Sequence, residues 1–133
     1  MTKSGSARTA GYVMSGLFIA FMLLDGGMKL VPLDVVIQAT VGLGYPPELA
    51  RPLGVIGLLC TVLYAVPRTS VLGAILVTGY MGATAATHLR VGHPLFTHIL
   101  FGVYLAIIAW GGLFLRDPRL RELLPLRSPQ QER

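Results

Sequence analysis

Four long apolar segments occupy most of this chain, and they restrict its fold more than any other feature of the sequence. They cover residues 9–31, 47–66, 70–89 and 94–115. A helix needs about 20 predominantly apolar residues to cross the hydrocarbon core of a bilayer, and each segment comes close to that length. Charged residues make up only 13% of the chain, against about 25% in an average soluble domain. The pattern predicts an all-α integral membrane protein whose four helices form one bundle.

The first apolar segment must be distinguished from a secretory signal peptide, because basic residues precede it. Lys3 and Arg8 lie among small polar residues, and we interpret residues 1–8 as a short, loose tail. A cleavage site of small residues does not follow the apolar run, which leads instead into Asp25 and Lys29. We therefore expect the first span to be retained.

A shorter helix is predicted between the first and second spans. Pro32 suits the first turn of a helix, and Asp34 suits its positive end. Apolar residues then recur at helical spacing until Gly42 and Gly44 interrupt the pattern. We expect this helix to lie in the membrane interface or to dip slightly into the membrane.

Short turns between the later spans fix their relative directions. Pro67, Arg68 and Thr69 separate the second and third spans, so these two helices must be antiparallel neighbours. The transmembrane domain is expected over residues 9–115, followed by a basic tail over residues 116–133. Three prolines prevent a long helix in this tail: Pro118, Pro125 and Pro129.

The distribution of lysine and arginine predicts the orientation of the chain. Eight of these residues lie on the side of the two termini: Lys3, Arg8, Arg68, Arg116, Arg119, Arg121, Arg127 and Arg133. The other side has three: Lys29, Arg51 and Arg90. Because positive residues accumulate in cytoplasmic segments, we expect both termini on the cytoplasmic side of a bacterial inner membrane. The net charge of +5 is thus a topology signal, and no basic stripe with interleaved aromatic residues predicts a nucleic-acid partner.

Antiparallel spans would bring charged residues and histidines together at the end of the bundle opposite the termini. The candidate ligand-binding residues there are Asp25, Lys29, Glu48, Arg51, His88 and His98. Asp25 and Lys29 are four residues apart on one helix and are expected to pair. An ionised aspartate inside a membrane helix costs about 2.5–3.5 kcal/mol on insertion scales, so a structural ion pair and a role in ligand or proton binding both stay open. We expect no comparable polar set in the other half of the bundle.

His88 and His98 are predicted to lie at similar depth on either side of a short turn. They could face each other and share a metal, a haem or a proton. The alternative is hydrogen bonding to Thr87, Thr97 or a nearby carboxylate. His93 is expected to be exposed in the turn. No known ligand spacing fits these histidines, so the sequence assigns neither a metal site nor a cofactor.

Small residues recur along the third span at four-residue spacing. They are Ala74, Thr78, Gly82 and Ala86, with Gly79, Ala83 and Thr87 on the adjacent stripe. Such stripes let helix backbones approach closely in lipid, and packing inside one chain is a more common reason for them than a dimer motif. The lone cysteine, Cys60, has no partner for an internal disulfide and is expected to act as a small buried hydrophobe.

Several short motifs follow one another along the chain. They are Asp25-Gly-Gly-Met-Lys29-Leu30, Leu43-Gly44-Tyr45-Pro46, Pro67-Arg68-Thr69 with Leu72-Gly73-Ala74, Ala86-Thr87-His88-Leu89-Arg90 with Gly92-His93-Pro94 and His98, and Leu115-Arg116-Asp117-Pro118-Arg119. The ordered set resembles the DoxX-like family of small bacterial membrane proteins over roughly residues 11–126. The resemblance implies a four-helix membrane protein. The family takes its name from a subunit of a membrane thiosulfate:quinone oxidoreductase, and it supplies no catalytic set that can be carried over residue by residue.

Three functions stay open from the sequence. The chain contains no GxSxG, P-loop or dinucleotide-binding pattern, so we expect at most an accessory of an oxidoreductase. The polar cluster and the family resemblance favour binding of a quinone or another lipophilic ligand. The alternative is a non-enzymatic scaffold or partner subunit, which includes homo-oligomers, and a small transporter-like oligomer is the third possibility.

Overall fold

The computed structural model of the protein describes residues 3–31 and 33–126. In chain order, its helices are α1 (Lys3–Leu30), α2 (Asp34–Gly42), α3 (Ala50–Ala65), α4 (Ser70–Arg90), α5 (Phe101–Arg116) and α6 (Pro118–Leu123). Short 3₁₀ turns lead into α3 (Pro47–Leu49) and α4 (Pro67–Thr69), and a π-helical turn leads into α5 (Leu95–Ile99). The predictions for Pro32, Arg127, Pro129 and Arg133 concern residues outside this description.

Four helical stretches are long and apolar enough to cross a membrane, as the hydropathy pattern predicts. They are Gly5–Leu30, Pro47–Ala65, Pro67–Arg90 and Leu95–Arg116. The described part of the chain is helical throughout its regular structure and contains no strand. The predicted all-α, multi-pass membrane fold is therefore confirmed.

The four long helices pack as a ring. α1 packs against α3 and α5, and α4 packs against the same two helices. Consecutive long helices run in opposite directions, so α1 and α4 finish at the same end of the bundle. We call the end where α1 and α4 finish the histidine end, and the end where α1 and α4 begin the terminal end.

The core of the bundle is built around Tyr64. This side chain is fully buried, and its ring meets Phe18 edge to face with the ring centroids 5.0 Å apart. Val77 and Ala109 are also fully buried and bring α4 and α5 into the same apolar cluster. In lipid, such contacts stabilise helix association through close packing rather than through exclusion of water.

The small residues of α4 do not all face the core, which corrects part of the packing prediction. Ala74 is fully buried, but five members of the two stripes are exposed: Thr78, Gly79, Gly82, Ala83 and Ala86. A Cβ atom added at Gly79 or Gly82 would meet nothing within 4 Å. The buried face also carries Gly73, Val77 and Met81. The row formed by Gly73, Val77 and Met81 lies about 100° around the helix from the stripe that begins at Ala74. This buried face contacts α3 and α5.

α1 begins at Lys3, so the prediction of a loose tail is wrong for residues 3–8. Thr9 Oγ1 donates a hydrogen bond to the Gly5 carbonyl oxygen at 3.0 Å. The Arg8 guanidinium carbon lies 5.9 Å from the centroid of the Tyr12 ring. Both contacts join residues four apart, and extending an existing helix costs little compared with starting one.

α2 confirms the short helix predicted between the first two spans. It ends at Gly42, and Gly44 has a φ of 87°, a left-handed conformation that glycine adopts without a steric penalty. The helix packs against α3 and against the turn that precedes α3. This reversal of the chain lays α2 at the histidine end.

Candidate ligand-binding site

A cavity of about 570 Å³ lies at the histidine end of the bundle. All four long helices and α2 contribute to its walls, which are mostly apolar and include Phe21, Met81, Phe101 and Leu105. Its polar lining consists of Asp25, Lys29, Thr40, Tyr45, Tyr80, Thr84, Thr87 and His88. Small-molecule sites in proteins typically measure about 300–1,000 Å³ and combine apolar walls with a few polar groups. The cavity has both properties.

An ion pair forms the charged corner of this cavity. Lys29 Nζ lies 2.6 Å from Asp25 Oδ2, which confirms the pairing predicted from their spacing. The side chain of Lys29 is 23% exposed and that of Asp25 is 37% exposed. An unpaired charge in a membrane segment is costly, and the pairing offsets much of that cost.

Tyr80 completes this corner from α4. Its hydroxyl oxygen accepts a hydrogen bond from Lys29 Nζ at 3.4 Å, and the same nitrogen lies 6.0 Å from the ring centroid. An ammonium group has donors only, so this contact does not use the hydroxyl hydrogen of Tyr80. Within residues 3–31 and 33–126 that hydrogen meets no acceptor. Lys29 and Tyr80 can therefore both donate hydrogen bonds to a polar atom in the cavity.

Three histidines gather at the rim of the cavity. His88 Nδ1 and His93 Nδ1 are 2.7 Å apart, so one of these nitrogens carries the proton that the other accepts. The centroid of the His98 ring lies 5.8 Å from that of His88 and 5.0 Å from that of His93. His93 is half-buried by these contacts, and the expectation that the turn leaves it exposed is wrong. His98 Nδ1 lies 2.8 Å from Thr97 Oγ1, as in the hydrogen-bonding alternative.

The rim supplies imidazole hydrogen-bonding groups. Of its three histidines, only His88 lines the cavity. In the part of the chain that the structure describes, no group of three or more His, Cys, Asp or Glu residues is arranged to hold a metal ion. His88 can accept or donate a hydrogen bond, depending on which ring nitrogen is protonated.

α2 forms one wall of the cavity, which the sequence does not predict. Five residues in and just after this helix contribute: Val35, Val36, Ala39, Thr40 and Leu43. Arg90 Nη2 donates to the Leu43 carbonyl oxygen at 2.5 Å. The Tyr45 and Thr87 hydroxyl oxygens are 3.1 Å apart. These two contacts fasten the C-terminal side of α2 to α4 and so fix the width of the cavity.

The structure separates the six candidate residues into three groups. Asp25, Lys29 and His88 line the cavity. Glu48 and Arg51 do not, and together with Lys29 they line a separate depression beside the start of α3. His98 stands at the rim without reaching the cavity wall. The sequence therefore predicts which end of the bundle holds the cavity. It does not predict which of the side chains at that end line the cavity.

Tyr80 is the main residue that the sequence candidates omit, although a periodic signal points to it. Tyr80, Thr84 and His88 follow one another at four-residue spacing along α4, and Thr87 lies three residues after Thr84. All four line the cavity. A polar stripe on an otherwise apolar membrane helix marks a face turned toward a polar interior.

The terminal end also holds a polar set, contrary to the sequence-based expectation. The Ser15 and Tyr64 hydroxyl oxygens are 2.8 Å apart, and Tyr64 donates to the Ala109 carbonyl oxygen at 2.7 Å. Arg116 Nε donates to Ser15 Oγ at 3.2 Å. These groups come from α1, α3 and α5, and none of them lines the cavity. The sequence conceals this set because Ser15 and Tyr64 are isolated polar residues in two separate apolar runs, and Arg116 begins the basic tail.

Comparison with known proteins bears on the family and not on a ligand. Neither the curated proteins nor the solved structures gave a match. The model of the DoxX-like family matches residues 13–112, which include the cavity residues Asp25, Lys29, Tyr80 and His88. The match covers most of the chain and agrees with the resemblance found in the sequence motifs. The chain therefore belongs to the DoxX-like family.

Proposed function

We propose that this membrane protein binds a quinone, or a similar lipophilic ring compound, in the cavity at the histidine end. The observation that supports this proposal most directly is a pair of hydrogen-bond donors at the polar corner of an otherwise apolar cavity. Lys29 Nζ and the Tyr80 hydroxyl are in contact there, 3.4 Å apart, and both line the cavity. A quinone has two carbonyl oxygens that only accept hydrogen bonds, so its polar atoms match these donors.

The walls also suit a ring with an apolar tail. Phe21 and Phe101 line the cavity and contact each other edge to face, with their centroids 5.5 Å apart. Aromatic edges and faces stabilise planar rings through offset or edge-to-face packing. His88 offers a further hydrogen-bonding group at the rim for the second carbonyl of the ring.

The role that follows from this chemistry is that of an accessory to a membrane redox system. Reduction of a quinone takes up two electrons and two protons, and the electrons need a donor. The single cysteine, Cys60, cannot form a dithiol within the chain. We therefore assign the delivery of electrons to a partner protein, and the holding and orientation of the quinone ring to this chain.

Filling the cavity should abolish ligand binding. We expect Ala83→Trp to weaken binding of a decyl-tailed benzoquinone by at least about tenfold, because Ala83 lines the cavity and the indole would occupy it. Binding is measured with radiolabelled quinone on the full chain, immobilised in lipid nanodiscs, with empty nanodiscs subtracted.

A matched control lies one turn away on the same helix. Ala86 is exposed and does not line the cavity, so Ala86→Trp should leave the affinity within about twofold of wild type. The quinone proposal fails if the unmodified protein retains no more quinone than empty nanodiscs. It also fails if both tryptophan variants weaken binding equally.

For the orientation we propose that both termini, and with them the terminal end, lie on the cytoplasmic side of the cell membrane. The support is the distribution of lysine and arginine, eight residues on that side against three at the histidine end. The cavity then opens near the outer face of the membrane. Labelling a cysteine added at either terminus with a membrane-impermeant maleimide, before and after permeabilisation, decides the orientation.

A second candidate function is that of a partner subunit, and the exposed small residues of α4 favour it. Gly79 and Gly82 face open space, where they would permit close approach of another helix in the membrane.

If a second copy docks there, Gly82→Cys should form an oxidised dimer in membranes when Cys60 is replaced by alanine. Leu24→Cys serves as the control, because Leu24 lies on α1 and is itself 65% exposed. Equal cross-linking at both positions would indicate random collision and count against a defined interface.

A further inference from the structure

Arg116 is held in one position at the end of α5. Its Nε donates to Ser15 Oγ at 3.2 Å. Its guanidinium carbon lies 5.3 Å from the ring centroid of Tyr12 and 5.8 Å from that of Tyr64. Contacts with two aromatic rings and one hydroxyl leave the guanidinium little freedom, which is the property that separates a binding group from a mobile surface charge.

The hydrogen-bond directions around Arg116 follow from its chemistry. Arg116 Nε can only donate, so Ser15 Oγ accepts. Tyr64 gives its hydrogen to the Ala109 carbonyl, so the remaining hydrogen, that of Ser15, goes to Tyr64. Ser15 and Tyr64 are 3% and 0% exposed, which makes this a buried and complete chain. The two Nη groups of Arg116 are not needed by it.

A second arginine shares the Tyr12 ring. The guanidinium carbon of Arg8 lies 5.9 Å from the same ring centroid. In residues 3–31 and 33–126 the one ion pair is Asp25–Lys29, at the other end of the bundle. The nearest acidic residue along the chain, Asp117, instead accepts from the backbone N–H of Arg119 at 3.0 Å. Two guanidinium groups therefore meet one ring, and no carboxylate in residues 3–31 and 33–126 forms an ion pair with either of them.

The end of α5 accounts for only part of this arrangement. A helix C-terminus carries about half a negative charge and stabilises one nearby cation. Arg116 is the last residue of α5 and benefits from that effect, whereas Arg8 lies near the N-terminus of α1, where the helix dipole has the opposite sign. The positive charge of the pair is thus larger than the described part of the fold offsets.

We propose that Arg8 and Arg116 bind an oxyanion of the phosphate class beside the Tyr12 ring. Guanidinium groups present parallel N–H donors that match two oxygens of a phosphate. The membrane-spanning stretches that contain these residues begin at Gly5 and end at Arg116, which sets the pair at the level of lipid headgroups. The phosphodiester of an anionic phospholipid and free inorganic phosphate share this chemistry. Bound there, the anion links the start of α1 to the end of α5.

Native mass spectrometry of the full chain in detergent tests this site with phosphatidylglycerol, phosphatidylcholine and inorganic phosphate as separate probes. We expect phosphatidylglycerol to bind, and Arg116→Gln to weaken that binding by about tenfold or more. Arg8→Gln, which leaves the buried chain of Ser15, Tyr64 and Arg116 intact, should weaken it as well, so that the site can be tested even where Arg116→Gln perturbs folding. Arg119→Gln is the matched control, because Arg119 is an exposed arginine of the same end that does not contact Tyr12.

The probes separate the two sources of the anion. If phosphatidylglycerol binds and inorganic phosphate does not, the site is one for a lipid headgroup. Binding of inorganic phosphate with the same dependence on Arg8 and Arg116 supports the site with a free anion as its ligand. Loss of affinity in Arg119→Gln equal to that in the other two variants, or no preference for phosphatidylglycerol over phosphatidylcholine and no phosphate binding, overturns the proposal. The site lies at the opposite end from the quinone cavity, so neither result depends on the other.

Discussion

Replacing Gly73 with alanine is expected to lower the free energy of unfolding of this protein by about 3 kcal/mol, the upper part of the range for overpacking. A Cβ atom at this position would fall inside the backbone of α3 at Tyr64 and would lie 2.6 Å from the Leu63 carbonyl carbon. Backbone atoms cannot rotate out of the way as a flexible side chain can. α3 and α4 would have to move apart to accept a single methyl group.

The separation would affect more than one contact. Ser70 Oγ donates to the Tyr64 carbonyl oxygen at 2.8 Å, which ties the first turn of α4 to the last turn of α3. Tyr64 also carries the buried hydroxyl chain from Ser15 to Ala109. Because the Tyr64 side chain is fully buried, a shift of its backbone disturbs packing on all sides of the ring.

The lone cysteine provides the measurement. Cys60 is 7% exposed and belongs to the core, so a fluorogenic maleimide reacts with it only as the bundle opens on heating. Gly79→Ala is the matched control on the same helix, because a Cβ atom there meets nothing within 4 Å. In a helix, alanine is favoured over glycine by about 1 kcal/mol, so this control should unfold at the same temperature as wild type or higher. Equal midpoints for the two variants would contradict the close crossing of α3 and α4.

The membrane fold was readable from the sequence because lipid imposes simple requirements. A span must be long, apolar and helical, and the four segments satisfy all three conditions without reference to their partners. The pairing of Asp25 with Lys29 was readable for the same reason, since both residues belong to one helix. Properties that a single helix determines could therefore be predicted from its own sequence.

Properties that depend on the neighbouring helices could not be predicted from the sequence of a single helix. The stripe that begins at Ala74 and the row that contains Gly73, Val77 and Met81 both have four-residue spacing, and only the positions of α3 and α5 decide which positions are buried. Glu48 lies at the same end of the bundle as the cavity, but in the turn that precedes α3 it lines a different depression. Which face of a helix points into the bundle depends on how the helix is rotated about its own axis. The apolar composition of the helix does not determine that rotation.

The same limit explains why the cavity itself was not foreseen. Its charged corner needs Lys29 from α1 and Tyr80 from α4, two helices that do not follow one another in the chain. Its wall at α2 depends on a bond from Arg90 to the Leu43 carbonyl oxygen, which joins residues 47 positions apart. In the sequence Arg90 contributes to the charge count that sets the orientation and to a family motif, whereas in the structure it also fastens α2.

Replacing Lys29 with methionine should destabilise the protein by about 3 kcal/mol, because it leaves the Asp25 carboxylate without its partner in a membrane segment. Methionine keeps an unbranched side chain of similar length, so lost packing contributes little. The double variant Asp25→Asn with Lys29→Met removes both charges together. It should recover to within about 1 kcal/mol of wild type, since a neutral pair needs no compensation for buried charge. The same maleimide reaction at Cys60 measures both.

The double variant then separates the two roles left open for the ion pair. If Lys29 Nζ holds a ligand carbonyl beside Tyr80, the double variant should fold well and still bind the decyl-tailed benzoquinone about tenfold more weakly than wild type, because a charge-assisted donor is lost. A stable double variant with unchanged quinone affinity would mean that Asp25 and Lys29 serve the fold alone, and Tyr80 with His88 would be left as the polar groups of the site. A double variant as unstable as Lys29→Met would contradict the assumption that the unpaired carboxylate causes the loss. In that case the packing of the Lys29 side chain against the Tyr80 ring, 6.0 Å from nitrogen to centroid, would be the interaction to test next.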